Sequence, residues 1–564
     1  MSTLFISLAE FLEKVESTRK RLEIVSITAD FLMHLEPEEV EPAVSMVLGR
    51  AFPKWSQKTL EVNWKTLSGV LRRVVGVDLS VFREAFSSTG DIGDAVKAVF
   101  KKNYMKKQSV LLEKKLTINE VKRLLQVIAE TGGSGSRGKK ERLITALLNQ
   151  ASPIEAKYLV KIFLGEMRTG LSEGLLEQAL AKALEAPLTL VQKATMAKGD
   201  IGEVAGIAKT KGKEGLREIN FQVFRPVRLM LAQTAKTASD ALADHGGKTA
   251  FEYKYDGARI QIHKWKDEIR IFSRRLKDVT KSLPEVVEAT KDNFEADEGI
   301  MEGEIIAINE NGQPIPFQHL MRRFKRIHEV RDMAKKIPVR LYLFDILLLN
   351  GENLIGLPYL DRRKILTENA GKILLTEQLI TDKKEQAEKF LVEAIEKGHE
   401  GVMAKKLDSV YTPGTRGKRW FKIKPVLEPL DLVITAAEYG YGRRHGWLSD
   451  YSLAARDPST GEFFNVGKTF KGLTDAEMIE MTQRLKELTL REEHNLVVVL
   501  PKVVVEVLYN EIQKSRKYKC GMALRFARIS RIRDDKSAEE ADTIDKVREI
   551  YEKQFAKKGK YKAN

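Results

Sequence analysis

The chain has 564 residues, with 96 Lys+Arg against 79 Asp+Glu, a net charge of +17 and a pI near 9.4. At roughly 100–200 residues per domain this length predicts several domains, and an apolar content of 43% excludes a largely disordered chain. No run approaches the ~18 apolar residues of a membrane span, and the single Cys520 excludes an internal disulfide and a cysteine-based zinc site. A cytoplasmic, reducing setting without membrane contact is therefore expected, and the surplus of positive charge points to a polyanion, nucleic acid first.

The opening stretch sets Leu4, Leu8, Phe11, Leu12 and Val15 at helical spacing with Glu10, Glu13 and Glu16 among them, which predicts an amphipathic helix. The same periodicity runs to about residue 195, clearest at Val121–Ala129 and Ile154–Phe163, so this part reads as one all-α domain. Between those runs, Thr131-Gly-Gly-Ser-Gly-Ser-Arg-Gly-Lys-Lys140 reads as a flexible basic loop leading into a helix at Glu141. Amides at that helix start, with Arg137, Lys139 and Lys140 beside them, suit a phosphate; a solvated inter-helix loop fits the same residues equally well. The Gly/Lys-rich stretch from Ala197 to Gly215 predicts a domain boundary.

Past residue 222 short β-rich runs take over at Phe251–Tyr255, Arg259–His263, Ile269–Ser273, Ile300–Ile308 and Val339–Leu349, with a helical pattern at Lys383–Lys397. They predict an α+β domain on antiparallel sheet. From about Leu427, strands at Leu432–Ala437, Tyr451–Ala455, Phe463–Val466 and Val503–Leu508 around a helix at Asp475–Glu487 predict a small β-barrel of the oligonucleotide-binding (OB) type. Lys557–Asn564 reads as a basic tail.

Charged motifs gather in the strand-rich part. Glu252-Tyr-Lys-Tyr-Asp-Gly-Ala-Arg259 places a lysine at the end of a strand before an Asp-Gly turn, which alone is compatible with an ordinary hairpin. Downstream follow Ser273-Arg-Arg275, Glu302-Gly-Glu304, Tyr342-Leu-Phe-Asp-Ile346, Glu400-Gly-Val-Met-Ala-Lys-Lys406 and Trp420-Phe-Lys-Ile-Lys424. Alternation puts Lys422 and Lys424 on one strand face, two like charges that call for an anion between them. From Lys405 to Lys424 the only acid is Asp408, and from Lys514 to Lys536 the only acids are Asp534 and Asp535. Two such one-sided blocks point to phosphate contact.

In this order the motifs resemble those of ATP-dependent DNA ligases of the archaeal and eukaryotic replicative kind, over nearly the full length. Glu166-Met-Arg-Thr-Gly-Leu171, Phe224-Arg-Pro-Val-Arg-Leu-Met-Leu-Ala-Gln233 and Arg525-Phe-Ala-Arg-Ile-Ser-Arg-Ile-Arg-Asp-Asp-Lys536 extend the likeness. It implies a helical DNA-binding domain (1–220), an adenylation (nucleotidyltransferase) domain (221–425) and an OB-fold domain with a C-terminal helix and basic tail (426–564). The implied activity is sealing of 5′-phosphate/3′-hydroxyl nicks in duplex DNA with ATP and Mg²⁺, through enzyme–lysyl-AMP and DNA-adenylate, in replication, repair and recombination. RNA ligases and capping guanylyltransferases share the Lys-x-Asp-Gly chemistry, but the long helical N-terminal region speaks against both, and the retained charged motifs speak against a non-catalytic DNA-binding scaffold.

The resemblance implies a role for individual residues. Lys254 is the nucleophile, expected to have its pKa lowered by neighbouring cations and partial desolvation. Glu252, on the same strand face, reads the adenine amino group, and Phe344 stacks on the base. Arg259, Lys422 and Lys424 neutralise the α-phosphate, and Arg274 and Arg416 hold ribose or phosphate. Glu304 and Glu400 face the metal, with Glu302 beside them in a structural role. Arg531, Arg533, Asp535 and Lys536 engage pyrophosphate in the first step, which requires the barrel to swing over the adenylation domain. Arg137, Lys139, Lys140, Arg168 and Gly170 are the implied contacts to duplex DNA. Lys107-Gln-Ser-Val-Leu-Leu112 lies where archaeal relatives carry a sliding-clamp peptide, and a monomer associated with the nucleoid is expected.

Overall fold

The protein is described from a computed structural model that covers residues 2–53, 55–104, 115–324, 330–414, 416–425 and 427–555. The clamp-peptide stretch at 107–112 and the basic tail at 557–564 lie outside the described residues. Among those described, no helix is long and apolar enough to cross a membrane.

Helices fill the first part, from Phe5–Glu16 to Ile201–Arg217, around one apolar core that includes Leu8, Leu12, Val121, Leu125, Leu159 and Val204. Its central helix, Pro153–Leu164, has the signals of a well-defined segment: Ser152 caps the first turn, Pro stands at its start, and Gly165 ends it in left-handed backbone. Buried on most sides, this helix carries two interior cations. Lys157 Nζ lies 2.6 Å from Glu13, 2.5 Å from Glu16 and 2.8 Å from Asp94, and Lys161 Nζ lies 2.9 Å from Glu16. The glutamates that make the first helix amphipathic in sequence are therefore aimed partly inward, where they neutralise buried ammonium groups.

One local expectation is corrected here and a second gains detail. The glycine-rich loop ends sooner than its composition indicates, because the next helix spans Ser136–Gln150 and takes in Arg137, Lys139 and Lys140. The stretch read as a boundary at 197–215 is mostly the helix Ile201–Arg217, capped by Asp200, which accepts from the amides of Gly202 (2.8 Å) and Glu203 (3.1 Å). Its small residues serve close packing on the helix Pro37–Val47: a Cβ at Gly202 would stand 3.0 Å from the Glu41 carbonyl. Gly202 thus reflects the closeness of a neighbouring backbone, whereas Gly212 kinks the helix in left-handed backbone (φ 61).

The middle of the chain builds two five-stranded sheets. One has the order Leu231–Thr234, Arg416–Ile423, Gly401–Lys406, Thr249–Lys254 and Gln378–Thr381, and the other Glu268–Ser273, Ala258–Trp265, Glu298–Ala307, Val339–Leu349 and Glu352–Asn353. Pairing is antiparallel except between Leu231–Thr234 and Arg416–Ile423. The chain passes from the first sheet to the second through Tyr255-Asp256-Gly257, so Lys254 stands on the seam between them. Gly257 is required there, since a Cβ would run into the Ile305 carbonyl.

The last part folds a seven-stranded antiparallel sheet with a separate two-stranded ribbon, the architecture expected of the OB barrel. The helix Asp475–Glu487 has the bounds that the sequence pattern indicates, and Ile544–Phe555 forms the C-terminal helix.

The charge cluster around Lys157 carries a stability prediction. Burial raises the Glu13 pKa, but hydrogen bonds from Lys157 and Lys97 outweigh it and hold the carboxyl at about 2. A carboxyl depressed in the folded state contributes stability above its unfolded value, which is lost as pH falls from about 4.5 toward about 2, on the order of 2–3 kcal/mol. Glu13→Gln should lower the thermal midpoint at neutral pH and converge on the wild type as pH drops through that window. A gap that stays constant in an acid titration would refute the assignment.

Candidate nucleotide site

The seam between the two sheets concentrates charge. Lys254 Nζ, at the end of Thr249–Lys254, lies 2.5 Å from Glu400 Oε2, and Lys424 Nζ, just past Arg416–Ile423, lies 2.5 Å from the same oxygen. Backbone pairing enforces this meeting: Glu400 N–H donates to the Lys254 carbonyl (2.9 Å), and Gly401 is the register partner of Lys254. The sequence pattern pairs Lys424 with Lys422, whereas the shared carboxylate lies between Lys424 and Lys254. Lys422, half-buried, stands opposite Met403 in the same sheet.

The expected lowering of the Lys254 pKa is overturned. Burial pulls it down, but the Glu400, Glu304 and Asp256 carboxylates more than reverse that and the ammonium is held above its ordinary value. Glu400 answers in the opposite sense, since burial raises its pKa while Lys254 and Lys424 hold it well below the carboxylate range. Glu304 is pushed up to about 7, chiefly by burial, despite the opposing fields of Lys254 and Arg259.

A second charged group lies buried within the same two sheets. Glu252 is buried and accepts from Lys405 (2.6 Å) and from the Tyr359 hydroxyl, with Gln378 Nε2 at 3.5 Å. The Lys405 ammonium rests 4.6 Å from the Phe344 ring centroid and 4.5 Å from that of Trp420. Burial lowers the Lys405 pKa, with Glu252 opposing. Arg259 donates to Glu302 (2.6 Å) and to the Met230 carbonyl (2.8 Å), its guanidinium 5.2 Å from the Phe344 ring. Phe344, only 8% exposed, belongs to a buried apolar cluster with Met230, Leu347 and Trp420, faced by two cations. Arg274 is exposed on the turn after Glu268–Ser273, and Arg416 begins the strand that carries Lys422.

Arg531, Arg533, Asp535 and Lys536 are held by ion pairs within the barrel. Asp431 accepts from Arg533 (2.9 Å) and Lys536 (2.7 Å), Asp535 pairs with Arg533 (2.7 Å), and Arg531 pairs with Glu506 (3.0 Å). In the helical part, Arg137 pairs with Glu141 at 3.0 Å, Lys139 is exposed, and Arg168 pairs with Glu166 at 2.8 Å. Gly170 sits nearby in left-handed backbone (φ 81). Lys140 departs from the phosphate-facing expectation: it is buried, donating to the Leu60 carbonyl (3.0 Å) and Glu61 (3.0 Å), because the earlier helix start turns it inward.

Several residues escaped the sequence reading. Lys405 and Tyr359 as partners of Glu252, and Asp431 as the anchor of Arg533 and Lys536, depend on pairings remote in sequence. Phe526 combines left-handed backbone (φ 55) with 63% exposure, and Phe470 is 54% exposed. A bulky residue in that conformation stores strain, which singles Phe526 out only once the backbone is known.

Comparison with known proteins matches residues 4–181 to the DNA ligase N terminus, 229–424 to the ATP dependent DNA ligase domain and 444–536 to the ATP dependent DNA ligase C terminal region. A DNA ligase of Thermococcus fumicolans is 44% identical over 97% of this chain and 98% of its own length. The chain belongs to the ATP-dependent DNA ligase family. Within it, DNA ligase 1 of Korarchaeum cryptofilum is 46% identical over 98% of both chains. The solved chain Pmar-Lig_Pre, 18% identical with a TM-score of 0.60, covers 93% of this ligase and 99% of its own length, which shows a shared fold.

Lys405→Met in this ligase strands the Glu252 carboxylate without its cation in a buried site, which should cost about 3–5 kcal/mol. Adding Glu252→Gln should restore much of the lost thermal stability. Additive losses in this double-mutant cycle would show that the two side chains are not coupled.

Proposed function

We propose that this chain seals 5′-phosphate/3′-hydroxyl nicks in duplex DNA with ATP as adenylate donor, Lys254 being the nucleophile. The observation that carries the reading is the convergence of Lys254, Lys424, Glu400 and Glu304 on one seam between two sheets. In the first step the Lys254 amine attacks the α-phosphorus and pyrophosphate leaves. AMP then passes to the 5′-phosphate of the nick, and the 3′-hydroxyl finally displaces it. Each step is an in-line substitution at phosphorus, so positioning and cationic stabilisation supply the catalysis.

The donor set fits Mg²⁺: Glu304 and Glu400 offer hard carboxylate oxygens beside the phosphate position, and such ions take few protein ligands when phosphate oxygens complete the shell. Bound there, the ion would neutralise charge developing on the phosphates. Arg259, Lys422 and Lys424 would meet the α-phosphate, Arg274 and Arg416 the ribose or phosphate, and Phe344 and Glu252 the base. Lys405 holds the Glu252 carboxylate in place for that contact.

Duplex DNA would meet Arg137, Lys139, Arg168 and Gly170 in the helical part and the exposed Phe526 and Phe470 on the barrel. Apolar rings beside basic residues suit a minor groove widened at a nick. Because Asp431 ties Arg533 and Lys536 to the barrel, that module would deliver them to pyrophosphate as a preassembled unit. A sliding clamp at 107–112, a monomeric state and a nucleoid setting complete the reading.

Two experiments test this. Lys254→Arg keeps the charge but cannot present a free amine, so it should form no covalent AMP that survives denaturation of the protein; accumulation of covalent AMP would unseat Lys254 as nucleophile. Lys536→Ala should slow enzyme–AMP formation roughly ten- to a hundredfold, the loss of one charge-assisted phosphate contact, while sealing a pre-adenylated nick at near the normal rate. Equal losses in both assays would assign the segment to general DNA binding.

A further inference from the structure

The segment 224–230, which joins the helical part to the sheets, crosses the strands Ala258–Trp265 and Glu298–Ala307 without joining them as a strand. Side chains satisfy its backbone instead. Phe224 N–H donates to His263 Nδ1 (2.9 Å), Val227 N–H to Gln261 Oε1 (2.7 Å) and Met230 N–H to the Tyr411 hydroxyl (2.9 Å). Gln261 Nε2 donates back to the Val227 carbonyl (3.3 Å), and Arg259 Nη1 to that of Met230 (2.8 Å).

These bonds have a fixed direction. Since His263 Nδ1 accepts, its proton is assigned to Nε2, which donates to Gln261 Oε1 (2.9 Å). That orients the amide so that Gln261 Nε2 faces Glu302 Oε1 (3.4 Å), while Glu302 Oε2 takes Arg259 Nη2 (2.6 Å). Gln261, His263 and Glu302 are wholly buried, so water cannot replace a lost partner. The chain of donors and acceptors thus leaves the segment at Phe224 and returns to it at Met230 through Arg259. The segment is held from the other side as well, for Arg225 pairs with Glu203 (2.6 Å) and lies 4.4 Å from the Trp55 ring, and Arg228 pairs with Glu173.

We propose that Gln261 and His263 are positioning residues for the adenylation step: they hold the 224–230 segment and the Glu302 carboxylate in register, and those two partners fix the Arg259 guanidinium for the nucleotide. The inference rests on the reading of Arg259 as a nucleotide-binding residue. Neither side chain needs to touch the nucleotide, and each acts by leaving Arg259 one place to stand. Their loss should therefore weaken ATP capture more than it slows chemistry.

The test measures KM and kcat for ATP in covalent AMP formation, with the melting temperature of each full-length variant. Gln261→Leu and His263→Leu should raise KM about tenfold with kcat changed less than about threefold, the scale of one misplaced charge-assisted contact. His263→Gln, which keeps an acceptor and a donor, should stay within about twofold of the wild type. Lys264→Met is the stability control: it removes a buried ammonium on the same strand that donates to the Phe294 carbonyl, outside the chain of bonds, and should lower the melting temperature without moving KM. Arg259→Lys should raise KM and marks the reading beneath.

If Gln261→Leu moves KM no more than Lys264→Met while Arg259→Lys raises it, the positioning role is overturned and the Arg259 reading stands. If Arg259→Lys leaves KM unchanged, that reading itself falls. Should the leucine variants fail to fold, Gln261→Met decides, because it keeps the length of the side chain but has neither the N–H donor for Glu302 nor the carbonyl acceptor for Val227. A raised KM there supports the proposal and an unchanged one ends it.

Discussion

The carboxylate of Glu400 sits between the ammonium groups of Lys254 and Lys424, and the layout of the cleft follows from that arrangement. Two cations brought together from strands on either side of Gly401–Lys406 would repel strongly in a partly buried site; one shared carboxylate makes the pairing favourable. The same carboxylate, with Glu304 and Asp256, keeps Lys254 protonated. Lys254 becomes a free amine only when other partners take up that negative charge. Cations alone, as the motif suggests, would have produced a reactive amine at all times.

Buried ion pairs recur wherever the site needs an exact geometry. Glu252 with Lys405, Glu302 with Arg259, and Asp345 with Arg362 at 2.8 Å are each shielded from water. Such pairs add little net stability over apolar packing, but breaking one is expensive, so each admits a single arrangement of its strands. They surround Phe344 and the cleft floor, where a shift of strand register would carry every functional side chain to the opposite face. In the barrel, Asp431 does the same for Arg533 and Lys536.

The contacts joining the modules are of a different kind. The loop at Gly442–His445 meets the end of the helix Leu79–Thr89, where His445 Nε2 lies 2.8 Å from the Ser87 carbonyl and Gly442 N–H donates to that of Gly90 (3.1 Å). With the ring contact of Phe86 and Tyr441 (5.5 Å) beside them, these are few and partly exposed, so they separate at lower cost than the interior pairs. The 224–230 segment is the contrast, held on both sides by buried hydrogen bonds and ion pairs.

Local patterns were enough for the helical part, most strands of the sheets and the helix Asp475–Glu487, because period and capping are properties of neighbouring residues. The order of the charged motifs was enough to place the chain in its family. Short or highly charged strands such as Gln378–Thr381 and Thr489–Glu493 left no such trace, since pairing with remote strands rather than local preference makes them. Composition did not show that 197–215 is mostly helical, because a glycine that lets helices approach, as Gly202 does, looks the same as one that bends the chain, as Gly212 does. Lys140 looked like a phosphate ligand and is a buried donor, and Lys254 looked like a depressed amine and is a stabilised ammonium. In each case the residue type was legible in the chain, while its burial and the charges facing it arose only where distant segments met, and those set what the group can do.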